Sequence, residues 1–210
     1  MKFQIIAGEI CLDFINTLDN RPDPARQQEL LNSYRDLADW AAQAGAISAG
    51  QRTSLLRLAE ERQQTARTAL RNAIHLRECL YRLVNDLLER RHPAEADLHT
   101  FSGYLGEALS YLQLRSAAGG YRLQWIDEDF RLESILWSIA RSASGLLTSG
   151  DAQLIRQCGA ETCRWFFLDR SKNHTRRWWA RAAWNSVTCS PVNWKWPWAS
   201  RPPIPKYWID

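Results

Sequence analysis

The chain has 210 residues, 45% of them hydrophobic, with 27 Lys/Arg against 23 Asp/Glu and a net charge of +4. That is enough apolar material for one substantial core with a small appendage, and it excludes disorder along the whole length. No apolar run approaches the roughly twenty residues of a membrane-spanning helix, and five cysteines, an odd number, do not make the disulfide framework of a small secreted domain. The N-terminus lacks the charged region, apolar segment and small-residue cleavage site of a secretory leader, so reduced thiols and a cytoplasmic location are expected.

Phe3-Gln4-Ile5-Ile6 reads as a short strand, and Glu9 to Asn16 as a helical turn or short helix. Pro22 and Pro24 disfavour helix before them and mark Asn20 to Pro24 as a loop. Leu30, Leu31, Tyr34, Leu37, Ala38 and Ala41 then recur at helical spacing up to Gly45, a good C-terminal cap. Ser48 caps a further helix through Leu55, Leu56 and Leu58. From Thr65 to Arg91 a long helix places Leu70, Ile74, Tyr81, Val84 and Leu88 on its apolar face and stops at Pro93. A helix over about Ala94 to Ser116 follows, then a strand from Tyr121 to Ile126 after Gly119-Gly120. Another helix, Phe130 to Leu147, turns Leu132, Leu136, Ile139 and Ala143 inward. The body is therefore mainly α with a small β-sheet, an α+β chain, and Thr148-Ser149-Gly150 is the boundary before the appendage.

Charge is unevenly placed. Residues 151 to 210 carry ten Lys/Arg against four Asp/Glu, which makes that part +6 and leaves the preceding body at −2. A basic module on a near-neutral body is the electrostatic footprint of a phosphate-binding appendage; a merely solvated arginine-rich helix is the competing reading. The same 60 residues hold 8 of the 11 tryptophans and 5 of the 8 prolines. Trp194, Trp196, Trp198 and Trp208, interleaved with proline, follow no helical or strand period and predict an extended tail. Indoles there can stack on bases or a partner; a divergent or frame-disturbed terminus is the alternative.

Within the basic part, Cys158 and Cys163 flank a short turn containing Gly159 and can place two thiolates on one tetrahedral metal. The apolar run Trp165-Phe166-Phe167-Leu168 reads as a strand, and Asp169 to Asn173 as a polar turn entering an arginine-rich helix. This layout resembles the bacterial CGNR zinc-finger proteins, stress-induced transcription regulators whose N-terminal part is the ABATE domain. Cys158, Cys163, Phe167, Asp169, Ser171, Lys172, Asn173, Arg176, Arg177 and Trp178 fall where that family's pattern wants them. A second resemblance lies at the other end, in Gly8-Glu9-Ile10-Cys11-Leu12-Asp13-Phe14-Ile15-Asn16-Thr17-Leu18-Asp19 and in Leu37-Ala38-Asp39-Trp40 followed by Ala44-Gly45.

The finger pattern then breaks. Trp179 stands in place of the third cysteine, and Trp184-Asn185-Ser186-Val187 in place of the Cys-Gly-Asn-Arg tetrad that would complete a four-cysteine zinc site. Tryptophan cannot ligate zinc. His174 and Cys189 are the chemically suitable substitutes, but neither has the family spacing. The expectation is a degenerate, treble-like finger in which Cys158 and Cys163 remain as metal ligands and zinc is absent or weakly held.

The resemblance implies a regulator in three parts: an ABATE-like ligand-sensing domain over residues 1–150, a degenerate CGNR-type finger over 151–188 and a Trp/Pro-rich tail over 189–210. DNA is the implied partner, with Arg164, Arg170, Lys172, Asn173, Arg176, Arg177 and Arg181 as candidate contacts, because cations near a helix N-terminus neutralise phosphates and release counterions. A small-molecule effector is the second implied partner and a homodimer the candidate assembly. Asp13, Asn16, Thr17 and Trp40 are the candidate ligand-binding residues, beneath a roof of Trp40, Trp125 or Trp137; capping of turns and of buried amides is the competing role for the polar three. No paired acid and base suggests catalysis, so no enzyme is expected. The alternative is a small-molecule-binding or protein-interaction module that has lost DNA binding.

Overall fold

The structure, a computed structural model of the chain, describes residues 3–171. The expectations for Lys172, Asn173, His174, Arg176, Arg177, Arg181, Cys189 and the tail 189–210 lie outside the described residues.

Six α-helices dominate the described residues. The first, α1, spans Ile10–Ile15 and buries Cys11, Leu12, Asp13, Phe14 and Ile15. α2 (Tyr34–Ala44) begins three to four residues later than the apolar period suggests, because the Ser33 side chain accepts from Asp36 N–H and fixes the start there. Gly45 ends it at φ +75°, a left-handed conformation that a side chain would strain. α3 (Ala49–Glu61) opens with a full capping box, Ser48 and Gln51 each accepting from the other's backbone N–H. α4 (Gln63–Leu88) is the longest helix, α5 covers Glu95–Ser110 and α6 covers Ser134–Leu147.

The expected stripe on α4 is displaced. Ala66, Ala69, Ala73, Leu76, Leu80 and Val84 are buried, whereas Leu70, Ile74, Tyr81 and Leu88 line its half-buried margin. Alanines let α4 approach its neighbours closely, so the smallest residues mark the deepest face. On α6 the expected Leu132, Leu136, Ile139 and Ala143 are all buried, but the helix starts at Ser134 after a single 3₁₀ turn at Glu128–Phe130.

Three two-stranded antiparallel sheets complete the described residues. β1 (Leu18–Asp19) pairs with β2 (Gln28–Glu29) across the proline loop. β3 (Leu112–Ala117) pairs with β4 (Gly120–Trp125), so the helix expected to reach Ser116 ends at Ser110. Cross-strand pairing decides this: Leu112 and Leu114 face Trp125 and Leu123 on one side, while Gln113 and Arg115 face Gln124 and Arg122 on the other. Tyr111 stacks on Trp137 at 4.4 Å and Trp125 meets the same ring at 5.7 Å, which fastens the base of this hairpin to α6. The third pair is β5 (Ile155–Gln157) with β6 (Phe166–Leu168).

Phe3 to Ile6 is not a strand. Instead of pairing in a sheet, its last amide, Ile6 N–H, is turned with Ala7 N–H onto the Asp13 carboxylate. The core joins α1, α2, α4 and α6 with Ile155, Phe166 and Leu168 of the last hairpin, so β5 and β6 are built into the body's interior. Among the described residues no helix is long and apolar enough to cross a membrane.

Candidate functional site

β5 and β6 pair in the register Ile155 to Leu168, Arg156 to Phe167 and Gln157 to Phe166, and the loop between them carries both finger cysteines. Cys158 N–H donates to the Trp165 carbonyl at 2.8 Å, and Cys163 N–H to the Ala160 carbonyl at 3.2 Å, which closes the turn. Arg164 takes φ +57° and redirects the chain into β6. Cys158, Cys163 and Trp165 form a small buried cluster against Ile6 and Ala160. Two neighbouring buried thiols on a tight turn fit half of a tetrahedral zinc site. The other half is not here: among the described residues no group of three or more His, Cys, Asp or Glu side chains could hold a metal. The missing donors would have to come from beyond Ser171.

Two of the seven candidate DNA contacts fall within the described residues. Arg164 is exposed where the turn enters β6 and reaches Gln157 Oε1 of β5 at 3.3 Å. Arg170, at the root, is engaged by the body: its Nη2 donates to Glu9 Oε1 at 3.1 Å and to Asp151 Oδ2 at 2.9 Å. Burial holds the Glu9 carboxyl above its ordinary pKa, and Arg170 offsets only part of that rise. Between them Asp169 is completely buried; its carboxylate accepts from Ser171 N–H and Oγ–H while its own N–H donates to the Leu154 carbonyl. Asp169 and Arg170 thus fix the last described residues to the body.

The N-terminal signature meets this hairpin from the other side. Asp13 Oδ1 accepts from Ile6 N–H at 2.8 Å and Ala7 N–H at 2.9 Å, and Gly8 follows at φ +91°, which only glycine adopts readily. That bend presents the Ala7 carbonyl to Leu168 N–H at 2.8 Å. Asn16 then binds the same strand in both directions: Nδ2–H donates to the Phe166 carbonyl at 2.9 Å and Oδ1 accepts from Phe166 N–H at 3.0 Å. Strand geometry explains the fit. Trp165 and Asp169 turn their backbone groups towards the β5 side, so those of Phe166 and Leu168 point to the opposite edge, where the Asn16 amide and Ala7 take the place of a third strand.

Thr17 Oγ1 donates to the Phe14 carbonyl at 2.7 Å and accepts from Arg77 Nη1 at 3.2 Å. Trp40 is fully buried, with its ring 5.1 Å from that of Phe14 and its indole N–H without a hydrogen-bond partner. The structure thus gathers Asp13, Asn16 and Thr17 near one another, but it commits their polar atoms to backbone and to Arg77, with Trp40 packed as core. Of the two further roof tryptophans, Trp137 is buried, and Trp125 lines a shallow cleft of about 270 Å³ with Ile126, Asp127 and Phe130 at the base of the β3–β4 hairpin.

Sequence reasoning missed Arg77. It sits at 2% exposure on the buried face of α4, donates to both Glu29 oxygens at 2.7 and 2.6 Å, and donates to Glu78 Oε1 at 2.9 Å. Burial disfavours its charge, yet Glu29 and Glu78 outweigh that and hold its pKa above the ordinary guanidinium value. Arg21 joins from the proline loop, bidentate to Glu78 at 2.5 and 3.0 Å and 4.0 Å above the Tyr81 ring, which in turn lies 5.6 Å from Phe166. The available signal was an arginine inside the Ala73, Leu76, Leu80 stripe, where a charge needs partners.

Comparison with known proteins agrees with these two halves. Residues 155–183 match the CGNR zinc-finger family, and the match stops one residue before Trp184, where the missing tetrad would begin. No curated protein matches the chain. Residues 8–150, more than half of the chain, match the ABATE family, described as "Putative stress-induced transcription regulator". The chain therefore belongs to the ABATE family, with a CGNR-type finger following the body.

Proposed function

We propose that the protein is a non-enzymatic transcription regulator in which an ABATE-like ligand-sensing body, residues 1–150, presents a degenerate CGNR-type finger, residues 151–188, to DNA, followed by a Trp/Pro-rich tail, residues 189–210. The observation that carries this reading is the paired match, body and then finger, on a chain whose positive charge is concentrated after residue 150. Arg164 at the exit of the knuckle and Lys172, Asn173, Arg176, Arg177 and Arg181 beyond Ser171 are the phosphate and base contacts. Arg170 is the hinge pin, since its guanidinium is shared between Glu9 and Asp151. Asp13, Asn16 and Thr17 serve the effector response by holding α1, without touching the effector.

Zinc, where bound, would be held by Cys158 and Cys163 with two donors from beyond Ser171, and it would stabilise the finger. The knuckle's backbone hydrogen bonds and Trp165 packing support it in the absence of metal.

Binding to duplex DNA across a salt series tests the reading. Each phosphate contact contributes about 0.9 to the slope of log affinity against log salt, so Arg176→Ala and Arg177→Ala should each flatten the slope by about one and weaken binding. Binding that is absent, or unchanged in both variants, would favour an effector-binding or protein-interaction module that has lost DNA recognition. The finger match that ends before its last ligands is the observation behind that second reading.

A further inference from the structure

The sequence makes Asn16 a candidate ligand-binding or capping residue, and the structure turns its side-chain amide onto the finger hairpin. We infer that Asn16 is the positioning residue through which the helical body holds the cysteine knuckle shut: its side-chain amide, standing in for a third strand, pins Phe166 and thereby the turn that carries Cys158 and Cys163.

Geometry supports the assignment from three directions. Asn16 closes α1 as its C-terminal cap and is itself 4% exposed, so its amide has a fixed origin in the body. Both of its hydrogen bonds go to one residue 150 positions away, and that residue is adjacent to Trp165, whose carbonyl takes Cys158 N–H. Trp165 in turn covers both thiols together with Ile6, while Ile6 N–H is held by Asp13 of the same helix. Knuckle and α1 are thus connected twice, through strand backbone and through the Asp13 bend. Two strands alone form a marginal sheet. With its outer edge satisfied by Asn16 and Ala7, this one has the hydrogen bonding of a three-stranded sheet.

The protein supplies its own reporters. Cys11 and Cys79 are buried in the body, and burial pushes their thiols up to about 12 and about 11, so both stay inert at neutral pH unless the body opens. Cys158 and Cys163 are equally buried but depend on the knuckle. Labelling of the full chain with a maleimide in the presence of EDTA, with sites assigned by peptide mass spectrometry, separates local from global opening.

In Asn16→Ala the labelling of Cys158 and Cys163 should accelerate at least about tenfold relative to Cys11 and Cys79. Leu55→Ala, a cavity in α3 away from the knuckle, serves as the control for general destabilisation, and there the four rates should shift together. Asn16→Ser provides the same reading should the alanine variant not fold. A common factor for Cys11, Cys79, Cys158 and Cys163 in the Asn16 variants, or a knuckle no more reactive there than in Leu55→Ala, overturns the assignment. Because the readout involves neither DNA nor effector, it stands or fails separately from the regulatory reading.

Discussion

The two polar clusters that the sequence brings forward, Asp13/Asn16/Thr17 and Cys158/Cys163, end in opposite conditions. The first is closed: each side chain meets backbone or Arg77 at hydrogen-bonding distance. The second is half of a metal-binding set: among the described residues no third His, Cys, Asp or Glu joins the two thiols to hold a metal. Buried carboxylate, amide and hydroxyl groups can be satisfied by the chain's own peptide groups, whereas a metal cage needs four donors converging on one point. Motif letters alone do not distinguish these situations; the partners do.

Several substitutions sharpen or break that contrast, beginning with the largest effect. Asn16→Ala leaves Phe166 N–H and C=O buried without their partner, at about 1–3 kcal/mol each, so a loss of about 2–6 kcal/mol in urea unfolding is expected. A loss below about 1 kcal/mol would mean water or a backbone shift replaces the amide, and the first cluster would not be closed.

Arg77→Met removes one member of a buried ionic group and takes the guanidinium from Glu29, while Glu78 keeps its bidentate pair with Arg21. Full burial would make this about 3–5 kcal/mol. Because both glutamate side chains are 30% exposed, about 2–3 kcal/mol is expected, again by urea titration. Cys158→Ser tests the other cluster. With an incomplete cage the purified protein should carry well under one zinc per chain, and the serine variant should lose about 1 kcal/mol, the cost of a hydroxyl in an apolar cluster. Stoichiometric zinc that disappears in Cys158→Ser would show the cage to be complete and abolish the contrast.

The smallest effect concerns Glu9. Its folded pKa is raised by burial, so the folded state binds the proton more tightly than the unfolded chain does, and stability falls as pH rises from the ordinary glutamate value through the raised one. Glu9→Gln lacks that titration, so its stability relative to the natural chain should improve with pH across this window, by less than about 1 kcal/mol given the partly exposed pair with Arg170. A relative stability that instead declines with pH would show that Arg170 dominates burial.

Much of the fold was legible where local chemistry decides it. Gly45 and the Ser48 cap fixed helix ends, and the inward face of α6 followed from its period. The failures are equally physical. Leu112 to Ser116 reads as the end of a helix because its two-residue alternation is short, and only pairing with Tyr121 to Trp125 makes it a strand. The deep face of α4 is lined by alanines, which carry little apolar signal, so the leucine and isoleucine stripe beside it drew attention. At the site, spacing identified Cys158 and Cys163 as neighbours, but the destination of Asn16, 150 residues from its partner, is a tertiary fact with no local signature. Arg77 was hidden because its partners Glu29 and Thr17 come from another part of the chain.

The interlock of β6 with α1 also sets an order of events during synthesis. The opening helix leaves the ribosome long before Phe166 exists, and until then Asn16, the Ala7 carbonyl and the cavity destined for Phe166 and Leu168 stay open to solvent. A nascent chain halted after Gly150 should therefore be loosely packed and prone to capture by chaperones, becoming compact only when the last described strand arrives to close it.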